Sequence, residues 1–420
     1  MNFRSLKSVL SILISGVFAL NAAADVEKKS LTLQDLFQMA KAANPNVLKA
    51  NSKIVEMADN GILARSNYFP SLTLQSTILS NQFLLSQKVW DGGATLSAYR
   101  QSKEEEKIAG WDKKSEIHRL YRLVTEAYYK ALFEIQKMEI LEGDAKLIDG
   151  ALVYAEKQVK FGAIGRNILL KARVAHKKSE SELFAARSEK EKATRVLMQL
   201  TRRGDLSLDA LNGRLDPHDL APLPETSGGE MVQTAAARSS DIGALKSREQ
   251  AEISRNNYSL SEERPQVSLI VTYGVGEKNP PKSIYPGYQT GVNLGAFINI
   301  PLFSGFSSSA KNRISRERLV QINQDLNSTL SNIEFETNSL RDQLKQDAND
   351  VATLDSEVRF SERMWDEVNS EYQVGLGSPD LWFDATTNLE IWKIQQLEKT
   401  RDYMTKHAHL LAMIQDGVTE

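Results

Sequence analysis

Hydrophobic positions along the chain follow two different periods. In "PQVSLIVTY", Val267, Leu269, Val271 and Tyr273 take every second place, and in "GVNLGAFINIPLF" so do Val292, Leu294, Ala296, Ile298, Ile300 and Leu302. Period two predicts strands. The positions between them in the second stretch include Asn293, Gly295, Asn299 and Pro301, which would make a poor protein core. Six apolar residues opposite a polar face are the alternation of a strand with lipid on one side and water on the other, with Ile298 near mid-membrane. A reduced copy of this hairpin occurs earlier, as "SLTLQSTIL" and "QFLLSQKVW" joined at Ser80 and Asn81. The edge of a soluble β-sandwich is the competing reading of the same pattern.

Elsewhere the period is that of a helix. From Gly93 to Phe161 and from Ser307 to Val374, Gly and Pro almost vanish, and Leu, Ile, Val and aromatics recur at three and four spacing, as in "LYRLVTEAYYKALFEIQKMEIL". At 1.5 Å per residue such a run is roughly 100 Å long, so it must pack along its length as a coiled coil. Each rod breaks at a Gly-rich segment, "FGAIGR" or "VGLGSP", and a shorter helix returns over about Asn167 to Leu200 and Asp380 to Ile414.

The punctuation recurs. Asn44, Val47 and Pro70 correspond to Ser239, Ile242 and Pro265 at an offset of 195, while Gly92 and Gly162 correspond to Gly305 and Gly375 at an offset of 213. The 18 extra residues fall between Pro265 and Gly305, where "GEKNPPKSIYPGYQ" is the candidate insertion. The sequence therefore predicts two tandem structural repeats, 25–204 and 230–420, around a Pro- and Gly-rich linker at 205–229. The first carries a β-hairpin at 71–90 and a tip at 161–166, the second a hairpin at 266–303 and a tip at 374–379.

Residues 1–24 place this unit in a compartment. Arg4 and Lys7, an apolar run from Val9 to Leu20 and the small residues Ala22, Ala23 and Ala24 form the pattern of a secretory signal peptide. A run of 12 is short for a membrane anchor, and no later segment approaches the ~20 apolar residues of a spanning helix. The net charge of −2 argues against a nucleic-acid partner, and the absence of cysteine excludes disulfides and thiolate metal sites. Four strands cannot close a barrel, and open edges are not tolerated in hydrocarbon. Closure must come from further copies: two would supply 8 strands and three would supply 12, the latter wide enough for a water-filled lumen.

The ordered segments "LTLQDLFQMAKAANPNVLKA", "YFPSLTL", "LSQKVWDGG", "AYYKAL" and "VKFGAIG", then "INIPLFSGF", "YQVGLGSPD" and "DATTNL", resemble the TolC family of outer-membrane channel-tunnel proteins over nearly the whole mature chain. The resemblance implies an α+β membrane protein, a homotrimer whose chains each give four strands to a 12-stranded transmembrane β-barrel. A long α-helical coiled-coil tunnel would cross the periplasm of a Gram-negative bacterium. It also implies docking to a periplasmic adaptor and an inner-membrane ABC or proton-driven transporter, for type I protein secretion or small-molecule efflux. By the same resemblance Tyr372, Asp380 and Asp384 match the periplasmic gate. The adaptor would abut Phe161, Gly162, Ala163, Gly165, Val374, Gly375, Leu376 and Gly377 at the tips. The family often has an acid six positions after the tip glycine; Leu381 stands there here, with Asp380 one place earlier. In the first repeat Asn167 and Ile168 replace the acid.

No nucleophile–base set, phosphate loop, cofactor motif or metal-ligand spacing is present, so a passive conduit is expected rather than an enzyme. His407 and His409 in "KHAHL" are expected on a solvated surface, pointing from different faces of one helix. The alternative is a periplasmic coiled-coil adaptor, which would show one helical hairpin between soluble β domains. A self-contained porin would need at least eight strands.

Overall fold

The computed structural model describes residues 31–76, 80–162, 164–276 and 291–415. The leader, Ala163 and the proposed insertion beyond Gly276 lie outside them. The first half runs α1 (Leu33–Ala43), α2 (Pro45–Ser66), β1 (Ser71–Ser76), β2 (Ser80–Trp90), α3 (Ala94–Lys160) and α4 (Arg166–Thr201). The second runs α5 (Gly228–Arg238), α6 (Ser240–Ser261), β3 (Gln266–Gly276), β4 (Gly291–Asn299), α7 (Ser307–Gln373) and α8 (Pro379–Ile414). Helices of 11, 22, 67 and 36 residues occur in that order in each half. Local chemistry starts the short ones. Thr32 and Ser227 each form a capping box, with Asp35 and Glu230, and Asn44 caps α2 ahead of Pro45.

The strand-to-helix exits need left-handed backbone. Gly92 and Gly93 have φ of 67° and 92°, and the corresponding Gly305 and Phe306 both have 64°. At Gly92 a Cβ would come within 2.7 Å of the Arg264 side chain and 2.9 Å of the Ser261 carbonyl, so glycine is required there by space as well as by φ. Asp91 then accepts hydrogen bonds from the Gly93 and Thr95 amides at 3.0 and 2.7 Å, which starts α3.

The rods pack in heptads. Ser240, Ser247, Ser254 and Ser261 are buried along α6, which packs on α3, where Thr95, Ser102 and Ala109 are buried at the same spacing. Along α4 the heptad-spaced buried positions include Ala172, Ser179, Ala186 and Ala193, and along α7 they include Thr337, Leu344, Val351 and Val358. A seven-residue repeat demands left-handed supercoiling, and small seam residues let helices approach closely. The largest apolar core among the described residues lies partway along the rods. There Leu36, Phe37 and Ala40 of α1 meet Leu120, Val124 and Ala131 of α3, Leu197 of α4 and Leu206, Leu208 and Leu215 of the linker.

The linker is tied to the rods by side chains. The Tyr403 hydroxyl donates to the Ala221 carbonyl at 2.5 Å, and His407 Nε2 lies 3.2 Å from the Pro222 carbonyl. His407 is therefore buried, and His409 is nearly so beside Glu126, which corrects the solvated surface expected for this pair. Burial holds both imidazoles below the usual histidine range. They do point from different helix faces, one to the linker and one to α3, but both faces are covered.

Candidate functional site

β1 to β4 form one antiparallel sheet in chain order. Residues directly opposite one another share a face of an antiparallel sheet, so the register decides what each face presents. Leu72 and Leu74 sit opposite Leu85 and Phe83; these sit opposite Val271 and Tyr273, which in turn sit opposite Leu294 and Val292. Leu269 and Val267 extend the row against Ala296 and Ile298. The other face carries Ser71, Thr73, Gln75, Gln82, Ser86, Ser268 and Thr272, interrupted by Leu84, Ile270 and Phe297. Leu294 is 75% exposed, and Leu72, Leu74, Val292 and Ile298 are also open to solvent. An exposed apolar face of this kind is the signature of an interaction surface.

Two expectations need adjustment. β4 ends at Asn299, so Ile300 and Leu302 lie beyond the strand although both are exposed. Pro301 has no N–H to extend the ladder. Ile298 is thus next to last in β4, and Gly295, not Ile298, is its middle. Ser80 and Asn81 belong to β2, Ser80 being opposite Gly276 and Asn81 opposite Ser76, so they are strand and not the joint expected of them; residues 77–79 lie outside the described residues.

At the far end of the rods, Gly162 and Gly375 adopt φ of 72° and 76°, and neither would meet another atom within 4 Å through a Cβ. These glycines are required by backbone twist rather than by crowding. The second tip is closed by two amides, those of Leu376 and Gly377, which both donate to the Glu371 carbonyl at 3.0 and 2.9 Å. A Cβ on Gly377 would be 2.6 Å from the Tyr372 nitrogen, so this glycine is held by close backbone approach. Phe161 and Leu376 are 83% and 86% exposed, and Val374 is open as well. Gly165 is extended, with φ of −75°, and precedes α4.

The three gate candidates separate. Tyr372 stacks on Trp382 with ring centroids 5.2 Å apart, and meets the edge of Tyr154 at 5.7 Å. Burial, then the neighbouring Tyr154, raises the Tyr372 phenol above its usual range. Asp380 pairs with Lys171 at 3.0 Å. Asp384 is exposed one turn further along α8. The Tyr154–Tyr372 and Lys171–Asp380 contacts both join the α3–α4 hairpin to the α7–α8 hairpin.

Sequence reasoning missed Tyr154, Lys171 and Trp382. Tyr372 and Trp382 are each five residues from Gly377, so a hairpin centred there brings them face to face, and that signal was available. Contacts between separate hairpins left no such mark. Among the described residues there is no group of three or more His, Asp or Glu that could hold a metal, and no helix is long and apolar enough to cross a membrane.

No family model matches the sequence, and no curated protein matches it either. Solved structures do. CusC, described for transmembrane channel formation, aligns with a TM-score of 0.76 at 16% identity over 92% of each chain. The outer-membrane channel OprN aligns at 0.78 and 14%, over 92% of this chain and 91% of its own. The open state of the Neisseria gonorrhoeae MtrE outer membrane channel aligns at 0.75 and 16%, over 91% and 88%. The chain has the fold of TolC-type outer-membrane channels, mostly helical with a four-stranded antiparallel sheet. The resemblance read from its motifs holds at that level.

Proposed function

We propose that this chain is the protomer of an outer-membrane channel, the passive conduit of a tripartite export system. The sheet carries the reading: one face is an apolar band broken by Gln87 opposite Leu269, and among the described residues its two edge strands each pair on one side only. In a four-strand meander β1 and β4 run in opposite directions, so β4 of one copy can pair antiparallel with β1 of the next. Three copies then make a 12-stranded barrel with the apolar band towards lipid, which satisfies every edge amide. The equal helix lengths in the two halves support a tandem duplication whose six rods line a periplasmic tunnel. The exposed tips would meet a periplasmic adaptor, and an inner-membrane ABC or proton-driven transporter would determine whether protein or small molecules are exported.

Val271 and Thr272 test this most directly, because they are adjacent at the middle of an internal strand and point to opposite faces. Val271→Arg is expected to cost about 2–4 kcal/mol at mid-membrane and to deplete the trimer from outer-membrane fractions. Thr272→Arg is expected to leave trimer recovery unchanged. Equal recovery of the two variants would overturn the barrel.

A further inference from the structure

The face of the sheet opposite the apolar band carries two residues that a plain polar lining does not need. Lys88 is the one charged residue of the four strands as described. It sits opposite Ser268, which sits opposite Phe297, so all three share the face of Gln82 and Ser86. The register slips only beyond Lys88, towards Trp90. Lys88 is exposed and makes no ion pair among the described residues. Asp91, the carboxylate on which it acts, is already bonded to the Gly93 and Thr95 amides and the Thr95 hydroxyl. β2 is an internal strand, so this lysine is not there to blunt a sheet edge. Phe297 is 61% exposed on a face otherwise rich in hydroxyls and amides. Ile270, opposite Gly295, lies on the diagonal from it, and a Cβ on Gly295 would meet nothing within 4 Å, so the space beside these two apolar side chains is open.

We propose that Lys88 and Phe297 form a collar inside the barrel that binds amphiphilic organic anions, the ammonium group taking the charge and the phenyl ring the apolar body. The collar rests on the channel reading: closing the barrel pairs the edges of the sheet and leaves this face to the lumen, with three copies of each residue around it. Lys88, Ser268 and Phe297 each lie three places or fewer from the end of their strand that adjoins a helix, so the collar sits where the strands pass into the rods. Two ladder steps separate Lys88 from Phe297, roughly 10 Å between backbones. A flexible lysine stem can cover part of that span, and an aromatic or alkyl body of one or two rings can cover the rest, with the Ser268 hydroxyl between them. An inorganic anion meets only the charge, and a neutral arene meets only the ring. Rings of like charge are a general means of sorting solutes in pores, and the aromatic member here adds a preference for the body of the anion.

Two probes, 2-naphthalenesulfonate and 2-naphthylmethylammonium, carry opposite charges on the same ring system. Full-length trimers in planar bilayers at low salt, where screening is weak, report block of the ionic current by each. In the unsubstituted pore the sulfonate is expected to block at about tenfold lower concentration than the ammonium, and Lys88→Glu is expected to reverse that order. Lys88→Gln, the gentler change, should remove the preference, and Lys88→Arg should keep it. Phe297→Ser should raise the half-blocking concentration of the sulfonate about threefold and leave methanesulfonate, which has no ring, unaffected. Trimer recovery from outer membranes checks that each variant assembles, as substitutions facing a lumen allow. A conducting pore with no preference between the two probes, or with block by the sulfonate undiminished in Lys88→Gln or in Phe297→Ser, overturns the collar and leaves the channel standing. Absence of a pore overturns both.

Discussion

The two helical hairpins have rods of equal length and a left-handed glycine at the same place in each tip, yet they are braced differently. The α7–α8 tip is locked by the Tyr372–Trp382 stack, by Trp382 Nε1 donating to Asn369 at 2.9 Å and by the paired amides on the Glu371 carbonyl. The α3–α4 tip has Val159 and Leu169 at the positions corresponding to Tyr372 and Trp382, and Ile164 where the other has Gly377. One backbone plan therefore carries a stiff tip and a plain one, and the plain one leans on the stiff one through Tyr154 and Lys171. Identical helix lengths did not dictate identical bracing; a few side chains did.

The largest way to break this asymmetry is Trp382→Ala. Trp382 is 3% exposed, so its loss is expected to lower the opening free energy of the second tip by about 3–5 kcal/mol, while Leu169→Ala in the first tip, at a half-buried position, costs far less. Hydrogen exchange across 370–386 and 157–173 reads both. Next comes Gly377→Ala, where a methyl group would press on the Tyr372 backbone; about 1–3 kcal/mol of overpacking is expected. Ile164→Ala, at the corresponding place, should show no such cost. Gly162→Ala and Gly375→Ala sharpen the shared part of the plan. Both glycines are left-handed in open space, so both substitutions should cost about the same, ~1–2 kcal/mol, and a clear difference would mean that the two turns are not equivalent. Smallest is Asp380→Asn: its pair with Lys171 is solvent-exposed and is expected to contribute at most about 1 kcal/mol, falling further in high salt.

Much of the fold was legible because its signals are local. Alternation at Val267 to Tyr273 and Val292 to Ile298 marked β3 and β4, and the scarcity of Gly and Pro marked both rods. Legibility stopped where a boundary depends on pairing. Leu302 fits the alternation as well as Ile298 does, but a strand lasts only as long as its ladder, and Pro301 ends it. Ser80 and Asn81 have turn chemistry yet are held in β2 by Ser76 and β3. The histidines of α8 looked solvated because Lys406 precedes them and they diverge around the helix; the linker and α3 cover them from outside that helix. At the candidate site Gly162, Gly375 and Gly377 could be read as turn residues, whereas Tyr154 and Lys171 could not be read at all.

By itself, the sequence determined the order of strands and rods, the places where the chain reverses and the alternation that makes one strand face apolar. Each of these follows from the preferences of residues a few positions apart. Tertiary structure alone decided that four alternating strands align their apolar faces into one band, since register is a property of pairs. It decided that Ser240, Ser247, Ser254 and Ser261 form a buried seam, which no hydrophobic pattern announces because serine enters a helix interface only when a neighbouring backbone comes close enough to exclude water. It also buried Asp144 and Glu390 between helices that lie far apart in the chain, and only that burial raises these two carboxyls above the usual carboxylate range.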